Sequence, residues 1–149
     1  MAIEAPLSKY KRNSFLIGIA ICVGLGAWCL YDGYLNKAFA EAKHEQWIVD
    51  ANRIAPFVLI PFAAILGLWW YAIRGRKLVA NDSALVIANK ARISYEAIES
   101  IDKTHFESKG FFTIVYKKHS GGSEAKRKLS DRDYDNLPAI LDHLIARIT

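Results

Sequence analysis

The sequence predicts a membrane α + β protein: a two-helix transmembrane hairpin followed by a small antiparallel sheet domain that ends in one helix. Three observations carry that class. Residues 13–31 and 54–73 are 19 and 20 residues long and contain no Asp, Glu, Lys, Arg or His. At about 1.5 Å rise per residue each spans roughly 30 Å as a helix, the thickness of a bilayer's hydrocarbon core. From residue 77 onward, short apolar runs alternate with turn residues, the pattern of locally connected antiparallel strands. Charge follows the same division: residues 1–73 carry 6 Lys/Arg and 5 Asp/Glu, residues 74–149 carry 14 and 10. The chain is therefore divided into an N-terminal tail with the hairpin, 1–76, and a charged, water-facing domain, 77–149. The net charge of +5 suits an anionic lipid or an acidic protein and is no nucleic-acid signature by itself.

The first span is read as residues 14–34. Lys9, Lys11 and Arg12 precede it. Its apolar stretch is longer than the roughly 7–15 residues of a signal-peptide core, so it is expected to be retained. Cys22 and Cys29 lie about 10 Å apart along one helix, too far for a mutual disulfide, and are expected to act as small packing residues. Asp32-Gly33 marks a break at the outer end. Residues 36–52 are rich in helix formers and predict an interfacial helix or an extension of the first span. Within them, His44 with Glu41 and Glu45 reads as a solvated face, and no metal or cofactor is predicted. The second span is read as residues 53–73, with Pro56 in its first turn and Pro61 as an interior bend. Ala20 with Gly24, Gly18 with Cys22 and Cys22 with Gly26 in the first span, and Ala63 with Gly67 in the second, supply small-xxx-small spacings. Such spacings let helix backbones approach closely in lipid, against the other span or another chain. Trp28, Tyr31 and Tyr34, and Trp69, Trp70 and Tyr71, are placed as interfacial anchors. Lys9, Lys11 and Arg12 before the hairpin, and Arg74, Arg76 and Lys77 after it, predict that both termini are cytoplasmic.

In the charged domain, strands are expected at Lys77–Ala80, Ala84–Ala88, Ala91–Ser94, Ile98–His105, Phe111–Lys118 and Glu124–Leu129. Turns are expected at Asn81-Asp82-Ser83, Asn89-Lys90, Ser108-Lys109-Gly110 and Ser120–Ser123. Phe112, Ile114 and Tyr116 alternate with Thr113, Val115 and Lys117, as in a half-buried strand. Ser130 and Asp133 read as a capping-box-like start. Tyr134, Leu137, Leu141, Leu144 and Ile148 then recur at helical spacing, with Pro138 expected to restart the helix after a short first turn.

The runs RGRKLVANDSALVI, ARISYEAIESID, KGFFTIVYK and DYDNLPAILDHL, in this order, resemble the bacterial pleckstrin-homology-like (PH-like) domains. Ile93–Ile98 looks like the turn between early strands of that family. The likeness covers about residues 74–149. It implies a strongly bent antiparallel sheet, a partial barrel with a C-terminal helix plugging one end. It also implies anchorage in a bacterial inner membrane and a binding or scaffolding role rather than catalysis. The predicted domain is short for a full seven-stranded PH sheet, and it lacks a basic lipid-binding motif in the first strand–loop–strand.

The sharpest candidate site is the hairpin KKHSGGSEAKRK, residues 117–128. Lys117, Lys118, Lys126, Arg127 and Lys128 flank its Gly-Gly turn and point to anionic lipid or an acidic partner. The competing reading is a solvated edge, since Lys commonly guards exposed strand edges. No HExxH and no phosphate-binding glycine loop occurs, and the four histidines are scattered, so an enzyme is not expected. The function expected is a membrane-anchored scaffold with membrane-protein partners, assisted by anionic lipid. The alternative is an accessory or assembly subunit of a larger membrane complex.

Overall fold

The computed structural model describes residues 1–42, 45–118 and 121–149. The chain divides into two units, Met1–Arg12 with Arg74–Thr149, and Asn13–Ile73.

The first unit is a mixed sheet-and-helix domain. Strand β1 (Ile3–Pro6) pairs antiparallel with β2 (Lys77–Ala80), Ala5 opposite Leu78. The sequence reading assigned residues 1–12 to a tail outside this domain; instead they supply its first strand. β2 continues through β3 (Ala84–Ile87) to β4 (Ala91–Ser94), giving one sheet in the order β1-β2-β3-β4. Ala88 and Asn89 link β3 to β4 with φ of 53° and 60°, and Lys90 donates its N–H to the Ile87 carbonyl at 3.0 Å. Two successive positive φ values are what a tight hairpin turn requires.

A second sheet follows in the order β5-β6-β7, with β5 at Ile98–Asp102, β6 at Phe111–Lys117 and β7 at Glu124–Ser130. The expected strand to His105 ends three residues early. Asp102 accepts from the Thr104 hydroxyl at 2.6 Å and its N–H at 3.0 Å, a local turn that competes with the ladder. The expected turn at 108–110 is a short helix, Phe106–Lys109, ending on Gly110 at φ 69°. A Cβ on Gly110 would collide with the Asp131 carboxylate. The Ser120–Ser123 turn includes residues outside the described set.

The C-terminal helix spans Leu137–Ile148. The capping-box start at Ser130 and Asp133 is corrected: Ser130 ends β7, and its carbonyl accepts from the N–H groups of Asp133 and Tyr134 in a turn. Asn136, at φ 61°, stands at the helix start without a side-chain cap. Leu137, Ile140, Leu141 and Leu144 are buried, one apolar stripe of the helix. They join Ala5, Leu78, Leu85, Ile87, Phe112, Ile114 and Leu129 in one core.

The two sheets are also tied along one side. Leu7 bridges Tyr134, Ser8 donates its N–H to the Asp133 carbonyl at 2.9 Å, and Asp135 donates to the Pro6 carbonyl at 2.9 Å. Ser8 is 1% exposed and its hydroxyl donates to the Arg132 carbonyl. Residues just after β1 and just after β7 thus close against each other.

The second unit holds two helices long and apolar enough to span a membrane. The first helix runs Lys9–Leu30 and continues into a π-helical turn, Tyr31–Leu35; the long second one is Gln46–Ile73. Only 6% and 11% of their apolar windows are buried, where the core helix of a soluble protein would be mostly buried. The continuous helix expected at 36–52 is corrected. A short helix, Lys37–Glu41, is capped by the Asn36 side chain, and residues 46–52 belong to the long second helix. Because that helix begins at Gln46, Pro56 is interior like Pro61, rather than in a first turn. The break expected at Asp32-Gly33 takes the form of the π-helical turn.

Candidate functional site

The cations of the predicted basic hairpin emerge from two paired strands, and strand geometry divides them. Register places Lys117 opposite Glu124, Val115 opposite Lys126, Ile114 opposite Arg127 and Thr113 opposite Lys128. Side chains alternate faces along a strand. Lys126 and Lys128 therefore share the outer face, while Arg127 lies on the face of buried Ile114 and Leu129. β7 is an edge strand of its sheet, so all three remain exposed.

Their charges are not equally available. Lys117 Nζ lies 2.7 Å from a Glu99 carboxylate oxygen. That hydrogen bond holds the Glu99 carboxyl below its ordinary value and pushes Lys117 up. Glu99 sits where the β5–β6 register shifts between Ile98 and Ser100. Lys128 Nζ stacks over the Phe111 ring, 3.7 Å from its centroid. Among the described residues, Lys126 and Arg127 form no ion pair.

Two separate recesses receive these side chains. Lys117 and Lys118 line a hollow of about 260 Å³ together with Arg92 and Tyr116. Lys126, Arg127 and Lys128 line another, of about 430 Å³, with Lys11, Arg76 and Tyr134. Register places Lys117 on the face of Lys126 and Lys128, and Arg127 on the other. Lys11 and Arg76 were missed as partners of β7 because they flank the two apolar segments in sequence. In the larger recess Lys11 Nζ is 2.6 Å from Asp133 Oδ1. Burial pushes the Tyr134 hydroxyl above its ordinary value and Asp133 adds to the rise, while Arg127 and Arg76 oppose it.

The predicted helix-packing residues divide as well. Ala63 is buried, and Gly18 lies 3.8 Å, measured from an added Cβ, from Leu66. Gly26 is buried, with Ile60 at 3.0 Å from such a Cβ. Ala20 and Gly24 are exposed, and neither Gly24 nor Gly67 has an atom within 4 Å of an added Cβ. Of the predicted pairs on the first helix, the row of Gly18, half-buried Cys22 and Gly26 is the one whose glycines meet neighbouring side chains, whereas Ala20 and Gly24 are exposed. Gly33 continues the contact: its carbonyl accepts from Arg53 Nε at 3.2 Å, and the Tyr34 hydroxyl donates to the Arg53 carbonyl at 3.2 Å. Asp32 accepts from Trp28 Nε1 at 2.6 Å and from Asn36 Nδ2 at 2.9 Å. His44 and His119 lie outside the described residues.

Comparison of the chain with protein-family profiles, curated proteins and solved structures gives no match.

Proposed function

We propose that this chain is a membrane-anchored binding or scaffold protein. Its two apolar helices insert as a hairpin in a bacterial inner membrane, and its sheet domain is a cytoplasmic PH-like module that engages other membrane proteins. The observation that carries this reading is the pairing of β1 with β2. Strands that precede and follow the hairpin share one sheet, which requires both ends of the hairpin to lie on the same side of a bilayer. Lys9, Lys11, Arg12, Arg74, Arg76 and Lys77 then favour the cytoplasmic side. The PH-like assignment is supported by a four-stranded and a three-stranded antiparallel sheet followed by a C-terminal helix, among the described residues. With β1 included, the described residues hold seven strands, which supports the likeness. The role proposed is binding.

The exposed Ala20–Gly24 face favours a second reading, an accessory subunit whose hairpin packs against another membrane protein. One set of experiments tests both. Alkaline carbonate should leave the full-length chain in the membrane pellet. In a variant carrying Cys22→Ser and Cys29→Ser, single cysteines at residue 2 and residue 149 should both be shielded from an impermeant maleimide in intact cells. Labelling of one terminus alone would contradict the shared sheet. Partners captured after mild detergent extraction should be lost with Ala20→Leu/Gly24→Leu in the accessory-subunit reading. They should be lost with substitutions on the sheet domain in the scaffold reading.

A further inference from the structure

The recess beside β7 has a composition that the hairpin sequence alone does not reveal. Lys11, Arg76, Lys126, Arg127 and Lys128 contribute to the lining of about 430 Å³. Arg76 and Arg127 both lie close enough to Tyr134 to act on its hydroxyl, whereas the Lys128 ammonium stacks over Phe111, outside the recess. The carboxylate among its lining residues is Asp133, paired with Lys11 at 2.6 Å. Among the described residues Arg76, Lys126 and Arg127 have no ion-pair partner. Arg76 is half-buried, which holds a charged group partly out of water with no anion to offset it. Tyr134 contributes a half-buried hydroxyl that can donate to an anion.

We infer that this cleft binds the phosphate group of an anionic phospholipid headgroup. The inference rests on the proposed membrane anchorage and replaces the hairpin tip with the cleft as the place of anion contact. Two guanidinium forks match phosphate oxygens in a bidentate geometry that ammonium groups do not provide. With Lys11 paired to Asp133, Arg76 and Arg127 remain without an ion-pair partner among the described residues, which suits a group that carries one to two negative charges. Chain connectivity selects lipid as the source. Lys11 lies in the first turn of the first long helix, and Arg76 follows Ile73 by three residues, at most about 10 Å of extended chain.

The test uses the full-length chain in a neutral detergent, with bound lipid counted by native mass spectrometry. Phosphatidic acid should be retained well above phosphatidylcholine. Arg76→Ala/Arg127→Ala should reduce its retention roughly thirtyfold, from about 1 kcal/mol for each cation removed. Lys117→Ala/Lys118→Ala, which alters the other recess, should leave it unchanged. Arg76→Lys/Arg127→Lys, which keeps the charge, should lose only part of it and guards against a folding artefact. Retention by the Arg→Ala pair equal to wild type, or equal loss in both alanine pairs, overturns the cleft. So does equal retention of the two lipids. Displacement by millimolar inorganic phosphate overturns the lipid as the source and leaves a soluble phosphate site. Displacement by a polyglutamate peptide overturns the inference in favour of an acidic segment. Carbonate extraction of the same variants separates the two readings: loss of lipid with the chain still in the pellet concerns the cleft alone.

Discussion

Glu99 and Lys117 show how one residue pair changes the meaning of a basic motif. In sequence, Lys117 is one of five clustered cations; in the fold, a bulge in β5 brings Glu99 within 2.7 Å of it. Its charge is spent locally, whereas Arg127, three residues beyond Glu124, faces a recess with Arg76. The pair also has a pH consequence. Glu99 titrates below its ordinary value in the folded chain, because the Lys117 ammonium donates to its carboxylate. A depressed carboxyl contributes stability above its unfolded value and loses it as pH falls through the folded one. Wild-type protein is therefore expected to lose more stability than Lys117→Gln between about pH 6 and about pH 3, across the carboxylate range. Parallel pH-dependent melts measured by near-ultraviolet circular dichroism would show it. Equal acid slopes for the two proteins would remove the pair from the account. Both exposed partners make the difference small.

Among the elements, β1 carries the most and was the least legible. Ile3–Pro6 has four residues, one of them Pro, and its partner β2 begins beyond both apolar segments. Periodicity within so short a run has no power to mark a strand, and no local turn announces a pairing across some seventy residues. By contrast β6, with its alternating Phe112, Ile114 and Tyr116, and the C-terminal helix, with its Leu137–Leu141–Leu144 stripe, were readable because burial imprints a period on sequence. The false capping box had the opposite cause: Ser130 and Asp133 do form a turn, but the strand before them takes the place of a helix after them. Ala5 offers a direct test of β1, because it is fully buried in the core while Glu4 beside it is exposed. Ala5→Glu would place a carboxylate there without a partner, expected to cost about 3–5 kcal/mol. Glu4→Ala, which removes only an exposed pair with Lys77, should cost no more than about 1 kcal/mol. Pulse proteolysis of the sheet domain in urea distinguishes them. Equal resistance of Ala5→Glu and wild type would mean that β1 is dispensable.

At the scale of the whole molecule, the sequence divided the chain into a hairpin and a domain, and the fold interleaves them. The cleft assembled from Lys11, Arg76 and β7 was illegible for the same reason that β1 was: its parts are brought together by a sheet whose first strand lies before the apolar segments. What remained legible was chemical class, two long apolar helices and a charged sheet domain, because composition alone separates uncharged segments from charged ones. The register has a further outcome. Pro6 faces Lys77 in the ladder, so residues 13–73 occupy the position where a soluble meander would carry an ordinary loop. Joining Arg12 to Arg74 through a short Gly-Ser linker is expected to give a water-soluble, cooperatively melting domain, read out by size-exclusion chromatography and calorimetry. Aggregated material without a melting transition would contradict it. The apolar hairpin is then a graft between two strands of one sheet, and cutting it out would let the sheet domain be studied by itself.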